Sequence, residues 1–193
     1  MKYLILFLSI VLFSTSCSKK DPCEGVICQN NGICETGTCN CPTGYEGTFC
    51  ELESAPKKVK VSSIKVLKIP QTKPDGTNWD TDGTNPDIFP VVYTMKTDGK
   101  TVDQVYWVSN LINTNAKISG QPAFSIILPA LEFTDVNKLF AIFLFDKDGN
   151  TEESMGPGII FNLKNDIKGR PSTITIDCTN CLLAFELDLK YEF

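Results

Sequence analysis

The sequence predicts an all-β protein: a small disulfide-rich module followed by an eight-stranded antiparallel β-sandwich. Three observations carry that expectation. Six of the nine cysteines fall between Cys23 and Cys50, in a stretch too polar to build a core. Beyond residue 58, short runs rich in Val, Ile and Phe recur between Gly, Asp and Pro turn signals. None of these runs shows the 3.6-residue apolar period of an amphipathic helix.

The N-terminus stands outside that fold. Lys2 precedes the apolar run YLILFLSIVLF, and Ser14-Thr15-Ser16-Cys17 follows. The run is too short to cross a bilayer as a helix and reads as a secretory h-region, so residues 1–16 are expected to leave as a signal peptide. Small residues directly before a cysteine resemble the lipobox of bacterial lipoproteins, with Ser14 where that motif usually carries Leu. The resemblance implies acylation of Cys17 and a lipidated tether over 17–20. It also implies a lipid-anchored place in the bacterial cell envelope, at the outer membrane. Several acyl chains hold a protein on a membrane where a single chain binds only marginally.

Formal net charge is −5, and more negative still without Lys2, which sets nucleic acid aside as a partner. There is no histidine. Its absence excludes a Ser-His-Asp triad, an H-E-x-x-H zinc site and most acid–base chemistry near neutral pH. The chain therefore reads as a binding protein and not an enzyme.

Within 21–52 the cysteines are spaced C-x4-C-x5-C-x4-C-x-C-x8-C. The residues between them are mostly Gly, Asn, Thr and Glu, so the segment folds only when stapled. Spacing alone leaves the connectivity open. With the phrasing NNGIC…CNCPTGYEGTFC, the segment resembles the epidermal-growth-factor-like (EGF-like) domain. That resemblance implies the pairs Cys23–Cys34, Cys28–Cys39 and Cys41–Cys50, and an aromatic beside a tight turn at Gly44-Tyr45. The calcium-binding branch of the family places acidic residues ahead of its first cysteine and an Asp or Asn between the third and fourth. Here only Asp21-Pro22 precedes Cys23, and Glu35-Thr36-Gly37-Thr38 separates Cys34 from Cys39. The module reads as a spacer without calcium.

Residues 53–58 read as a linker and 59–193 as the sandwich. VKVSSIKVLKI (59–69) alternates in part. IFPVVYTMK (88–96) and VDQVYWVS (102–109) are joined by Thr97-Asp98-Gly99-Lys100, a hairpin turn. FSIILP (124–129) follows, then LFAIFLF (139–145), whose unbroken apolarity marks a central strand. GIIFNL (158–163), STITID (172–177) and LLAFELDLKYEF (182–193) complete eight strands without helices, the pattern of a two-sheet sandwich. Cys178 and Cys181 read as a structural disulfide clipping the last connection. No helix, βαβ pattern or further ligand supports a redox or zinc site there.

Two connections are acidic: WDTDGTNPD over 79–87 and DKDGNTEE over 146–153. In an antiparallel meander or Greek key, odd-numbered connections gather at one end of the sandwich and even ones at the other. By that parity Asp80, Asp82, Asp87, Asp146, Asp148, Glu152 and Glu153 share one end. Asp98-Gly99 falls at the far end, as a turn and nothing more. Clustered carboxylates either rise in pKa or bind a cation, and a hard cation with roughly six to eight oxygen ligands points to calcium. An EF-hand loop places its glycine sixth, between helices. Here the glycine stands fourth and strands flank the loop, so that motif does not apply.

The arrangement resembles the C-2 domain, the calcium-dependent membrane-binding sandwich of protein kinase C and the synaptotagmins. That family's first loop reads roughly D-x-x-G-x-x-D-P-Y; here DGTNPDIF offers Asp82 or Asp80, and Asp87, with Pro86 moved ahead of Asp87. Its third loop runs D-x-D, an acid, a hydrophobic residue and Gly. Asp146, Asp148, Glu152 or Glu153, Met155 and Gly156 follow that order. The resemblance implies calcium as cofactor and a phospholipid surface among the ligands. Ile88 and Phe89 read as core, whereas Trp79 is open between core and ligand cover.

The expected function is that of a membrane-tethered envelope lipoprotein whose sandwich is a calcium-dependent binding or adhesion module. Protein, carbohydrate and phospholipid are the ligand classes. Within that class the alternative is a metal-free sandwich binding protein or carbohydrate through the same loops. Outside it stands an envelope hydrolase using paired carboxylates.

Overall fold

The computed structural model describes residues 20–117, the backbone of 123–125, and residues 130–193. The leader, Cys17 and residues 126–129 of the fourth expected strand lie outside the described residues. The chain divides into two compact units between Ser54 and Ala55.

In the first unit four short strands form two hairpins: β1 (Ile33–Glu35) with β2 (Thr38–Asn40), and β3 (Tyr45–Glu46) with β4 (Leu52–Glu53). Disulfides join Cys23–Cys34, Cys28–Cys39 and Cys41–Cys50. Among the described residues of this unit, the buried hydrophobic side chains are Cys39 and Cys50 alone. Bridges thus stand where a larger domain would have a core. Gly32 is required by packing: a Cβ there would lie 2.6 Å from Cys50 Sγ.

The second unit is a sandwich of two antiparallel sheets. One carries β6 (Ile88–Met95), β7 (Val102–Val108), β10 (Phe140–Asp148), β11 (Thr151–Ser154) and β12 (Ile159–Phe161). The other carries β5 (Lys58–Lys68), β8 (Ala123–Ser125), β9 (Leu131–Phe133), β13 (Thr173–Ile176) and β14 (Ala184–Glu192). β10 is central, with β6 on one side and β11 and β12 sharing the other. In the second sheet β5 has β14 on one side and β8 and β9 on the other. Each sheet is therefore four positions wide. Eight positions hold ten strands because two edges are filled by pairs of short ones.

Period-two alternation decides what faces the core. β5 turns Val59, Val61, Ile64 and Val66 inward, and β10 turns Phe140, Ile142 and Leu144 inward. Aromatics lock the sheets together: Phe133 of β9 meets Phe140 of β10 edge-on with centroids 4.7 Å apart, and Tyr106 of β7 stacks on Phe133 at 5.8 Å. Gly158 is the second glycine fixed by packing, since a Cβ would meet the Phe143 ring at 2.4 Å.

Three features depart from the sequence reading. Residues 146–157 are not simply a loop: β10 continues through Asp148, and Gly149-Asn150 turns it into β11, with Asp146 opposite Glu153 and Lys147 opposite Glu152. Leu131–Phe133 is a strand too short to carry a periodic signal. Leu163–Asp166 is one helical turn, started by Asn162, whose side chain accepts the Lys164 N–H. Cys178 and Cys181 are bridged. Ile88, Phe89 and Trp79 are all buried, which resolves Trp79 as packed.

Candidate metal centre

The site follows from where β10 ends. Phe140, Ile142 and Leu144 point into the sandwich, and the same parity sends Asp146 inward. Asp146 is only 1% exposed. Its Oδ1 accepts the Asp87 N–H at 2.9 Å, while its Oδ2 is buried without any hydrogen-bond partner. Burying an unpaired carboxylate oxygen is costly. Burial accordingly pushes the Asp146 carboxyl up to about 6, with the charges of Asp80 and Asp148 adding to the rise.

Asp148, two residues on, lies on the same side of the strand. Asp80 arrives from the connection between β5 and β6, where Trp79 anchors the chain by donating its indole N–H to Pro70 O at 3.0 Å. One carboxylate oxygen from each of Asp80, Asp146 and Asp148 lies within 4.8 Å of the others. Asp148 is raised above its ordinary value by desolvation first, then by its hydrogen bond to the Asp80 carboxyl and by that group's charge.

Asp87 ties three segments together. Its N–H goes to Asp146, its C=O accepts the Lys147 N–H at 2.9 Å, and its Oδ1 accepts the Asn115 N–H at 2.8 Å. Asp82 is committed locally, taking the N–H and hydroxyl of Thr84 at 2.9 and 2.6 Å. Those bonds hold the Asp82 carboxyl below its ordinary value. Thr84 also bonds Asp80 Oδ2 at 2.7 Å. Asp80, Asp82, Asp87 and Asp148 line one open cavity of about 320 Å³ with Asn115 and Lys147.

The two glutamates take other partners. On the exposed strand β11, Glu152 pairs with Lys147 at 2.6 Å and Glu153 with Lys73 at 2.6 Å. Of seven acids expected together, four line the cavity, Asp146 joins Asp80 and Asp148 in one cluster, and two are paired with lysines. The sequence reading missed Lys73, Lys147 and the Asn113–Asn115 segment. Lys147, set between two aspartates opposite Glu152, was findable from strand alternation. The Asn115 contribution is a backbone N–H and leaves no side-chain signal.

This arrangement suits a cation better than hydrolysis. Paired-carboxylate glycosidases hold their two acids about 5–10 Å apart to admit a sugar or a water between them. Here one oxygen from each of Asp80, Asp146 and Asp148 lies within 4.8 Å of the others. A calcium ion with oxygens at about 2.3–2.6 Å can bridge groups this close.

The EGF-like domain family model matches residues 17–50. The N-terminal unit is an EGF-like module. Comparison with curated proteins finds no match. Among solved structures, the chain is similar to a C-2 domain protein from Ramazzottius varieornatus, at 8% identity and TM-score 0.40, over 72% of this chain and 91% of that one. It is also similar to the C-2A domain of a plant extended synaptotagmin 1, at 16% identity and TM-score 0.36, over 72% and 99%. Human GIVD cytosolic phospholipase A2 is similar at 13% identity and TM-score 0.39, over 72% of this chain. The match spans only 18% of that enzyme. Among the described residues, no helix is long and apolar enough to cross a membrane.

Proposed function

We propose that the sandwich is a calcium-dependent binding module. The observation that carries this reading is the buried, unpartnered Oδ2 of Asp146 beside Asp80 and Asp148. A buried charge this poorly satisfied is normally neutralised by a proton or by a cation. Asp80, Asp146 and Asp148 would hold the ion, Asp87 would position Asp146 through its N–H, and Asp82 and backbone oxygens would stand at the rim. The bound ion would supply positive charge at the loop end, where an anionic group of a ligand could complete its coordination. A protein, a carbohydrate or a phospholipid surface can supply such a group.

The rest of the chain fits a tethered display of that module. In this reading residues 1–16 are a secretory leader, Cys17 carries acyl chains in the bacterial outer membrane, and the EGF-like module is the spacer. Cys17→Ser should leave the precursor uncleaved and unlipidated; normal maturation and membrane retention of that variant would remove the anchor.

The calcium reading is tested by calorimetric titration of the full chain with calcium chloride, and with magnesium chloride as comparison, up to millimolar concentration. Extracellular modules bind calcium with Kd values of about 10⁻⁴–10⁻³ M. Saturable calcium binding that disappears in Asp146→Asn supports the site. Absence of any heat and of any melting shift at millimolar calcium rejects it.

A further inference from the structure

The connection between β5 and β6 carries a lysine to the acidic end and fixes it there. Trp79 closes residues 70–79 on themselves through its indole bond to Pro70 O. Lys73 opens a tight turn inside that segment. Its N–H donates to Thr77 O and its C=O accepts the Gly76 N–H, both at 2.9 Å. The Asp75 carboxylate takes the N–H and hydroxyl of Thr77, and Gly76 supplies the positive φ, 85°, that the turn requires. The Lys73 backbone is thus held by bonds of its own, independent of its side chain.

The ammonium lies between neighbours of two of the aspartates. It stands 5.6 Å from the ring centroid of Trp79, the residue before Asp80, and 2.6 Å from the carboxylate of Glu153. Glu153 is the cross-strand partner of Asp146. Residues directly opposed in an antiparallel pair share a face, with Cβ atoms about 4.5–5.5 Å apart. Glu153 therefore brings the ammonium to the face on which Asp146 and Asp148 stand.

The Lys73 side chain is only 21% exposed, and burial disfavours its charge. The carboxylates outweigh that cost. Glu153 first, then Asp148 and Asp146, hold the ammonium above its ordinary value, and the Lys73 charge opposes the rise of Asp148. Lys147 has a different place. It stands between Asp146 and Asp148 on β10, so alternation turns its side chain to the outer face, against Phe89 and Glu152.

We propose that Lys73 is a tethered counter-ion of the carboxylate cluster, which steadies the cation-free end and weakens its affinity for calcium. A divalent cation entering among Asp80, Asp146 and Asp148 meets a positive charge already in their field. The lysine competes with it without leaving the chain. The effect on affinity rests on the calcium reading; the counter-ion role does not.

The first arm of the test is thermal melting of the full chain in chelator. Lys73→Met keeps the stem of the side chain and removes its charge. It should lower the melting temperature at pH 7 by about 2–4 °C. The loss should shrink in an Asp148→Asn background and persist in a Glu153→Gln background, the coupling expected of groups that share one field. A loss that is unchanged by Asp148→Asn and vanishes with Glu153→Gln would make Lys73 a partner of Glu153 alone and overturn the proposal. The second arm is calorimetric titration with calcium chloride. Lys73→Met should tighten Kd by about fivefold, and Lys73→Arg, which keeps the charge, should bind as wild type does. Lys100→Gln, the same loss of charge at the far hairpin, should leave Kd unchanged. An unchanged or weaker Kd in Lys73→Met would overturn the competition with calcium. If wild type and Lys73→Met both take up no calcium while the coupling to Asp148 is present, the calcium reading fails and the counter-ion role stands.

Discussion

The sandwich contains two Asp-Gly hairpin turns that behave in opposite ways. Between β6 and β7, the Asp98 carboxylate collects the N–H groups of Lys100 and Thr101 at 2.8 and 2.9 Å and the Thr101 hydroxyl at 2.7 Å. Those bonds lower it to about 2. Between β10 and β11, Asp148-Gly149 makes the turn, while Asp146 behind it faces the core with one oxygen unsatisfied and lies near 6. The two turns stand at opposite ends of β6, since Ile88 pairs with Asp146 and Met95 with Leu139. The dipeptide is the same in both. The difference lies in what surrounds it: Asp98 sits in the turn itself with its carboxylate satisfied, whereas strand parity sends Asp146, two residues ahead of Asp148-Gly149, into the sandwich.

The largest test of that difference is the pH dependence of stability in chelator. Asp146 has a folded value near 6 against an ordinary 3.8, so the folded state holds its proton longer. Stability contributed by this residue is present below about 4 and falls as pH climbs from about 4 to about 6. Above that range the ionised group costs up to about 3 kcal/mol. Asp146→Asn removes the charge and keeps an acceptor for the Asp87 N–H. It should raise the melting temperature at pH 7 and flatten the profile between pH 4 and 6. A variant that melts lower than wild type at pH 7 would mean that Asp146 ionises there without strain.

Calcium should act on the same imbalance from the other side. At a hundredfold excess over Kd, an ion bound only to the folded state stabilises it by about 2.7 kcal/mol. Asp146→Asn and Asp80→Asn should lose most of that gain, and Asp98→Asn should keep all of it. An equal calcium response in all three variants, read by thermal melting, would reduce the acidic end to a second turn.

How far these properties were legible depends on the range of the interaction. The core strands were readable because β-branched and aromatic runs such as 88–95 and 140–145 are long enough to show their character. β9 was not, because Leu131-Glu132-Phe133 owes its pairing to β5 across seventy residues of sequence. The continuation of β10 through Asp148 was hidden by its own acids, which resemble a solvated loop. Its signal lay in Gly149-Asn150, a two-residue hairpin dipeptide, with Lys147 set opposite Glu152. The convergence of both acidic segments on one end followed from connection parity. The release of Glu152 and Glu153 to lysine partners did not, because it depends on which face of β11 each side chain takes.

A smaller effect should appear at the satisfied turn. Asp98 is depressed from 3.8 to about 2 by its three hydrogen bonds, so its contribution is present above about 4 and is lost as pH falls toward 2. That sign is the reverse of Asp146. Asp98→Asn should lower stability modestly at pH 7 and converge with wild type near pH 2, with no change between pH 5 and 7. A loss of stability confined to pH 5–7 would contradict the assignment.

The smallest expected change separates a ligand from an ion pair. Glu152 is about half exposed and bonded to Lys147 at 2.6 Å, and exposed pairs of this kind contribute about 0.2–1 kcal/mol. Glu152→Gln should therefore lower stability by no more than that amount, and less in high salt, because screening weakens the pair. Its calcium response should equal that of wild type, because the ammonium of Lys147 already occupies the carboxylate. If Glu152→Gln instead removed the calcium response as Asp146→Asn does, the Lys147 pair would have to open when the ion arrives. The cation would then be held by both arms of the β10–β11 hairpin, as the order of acids in the sequence implied.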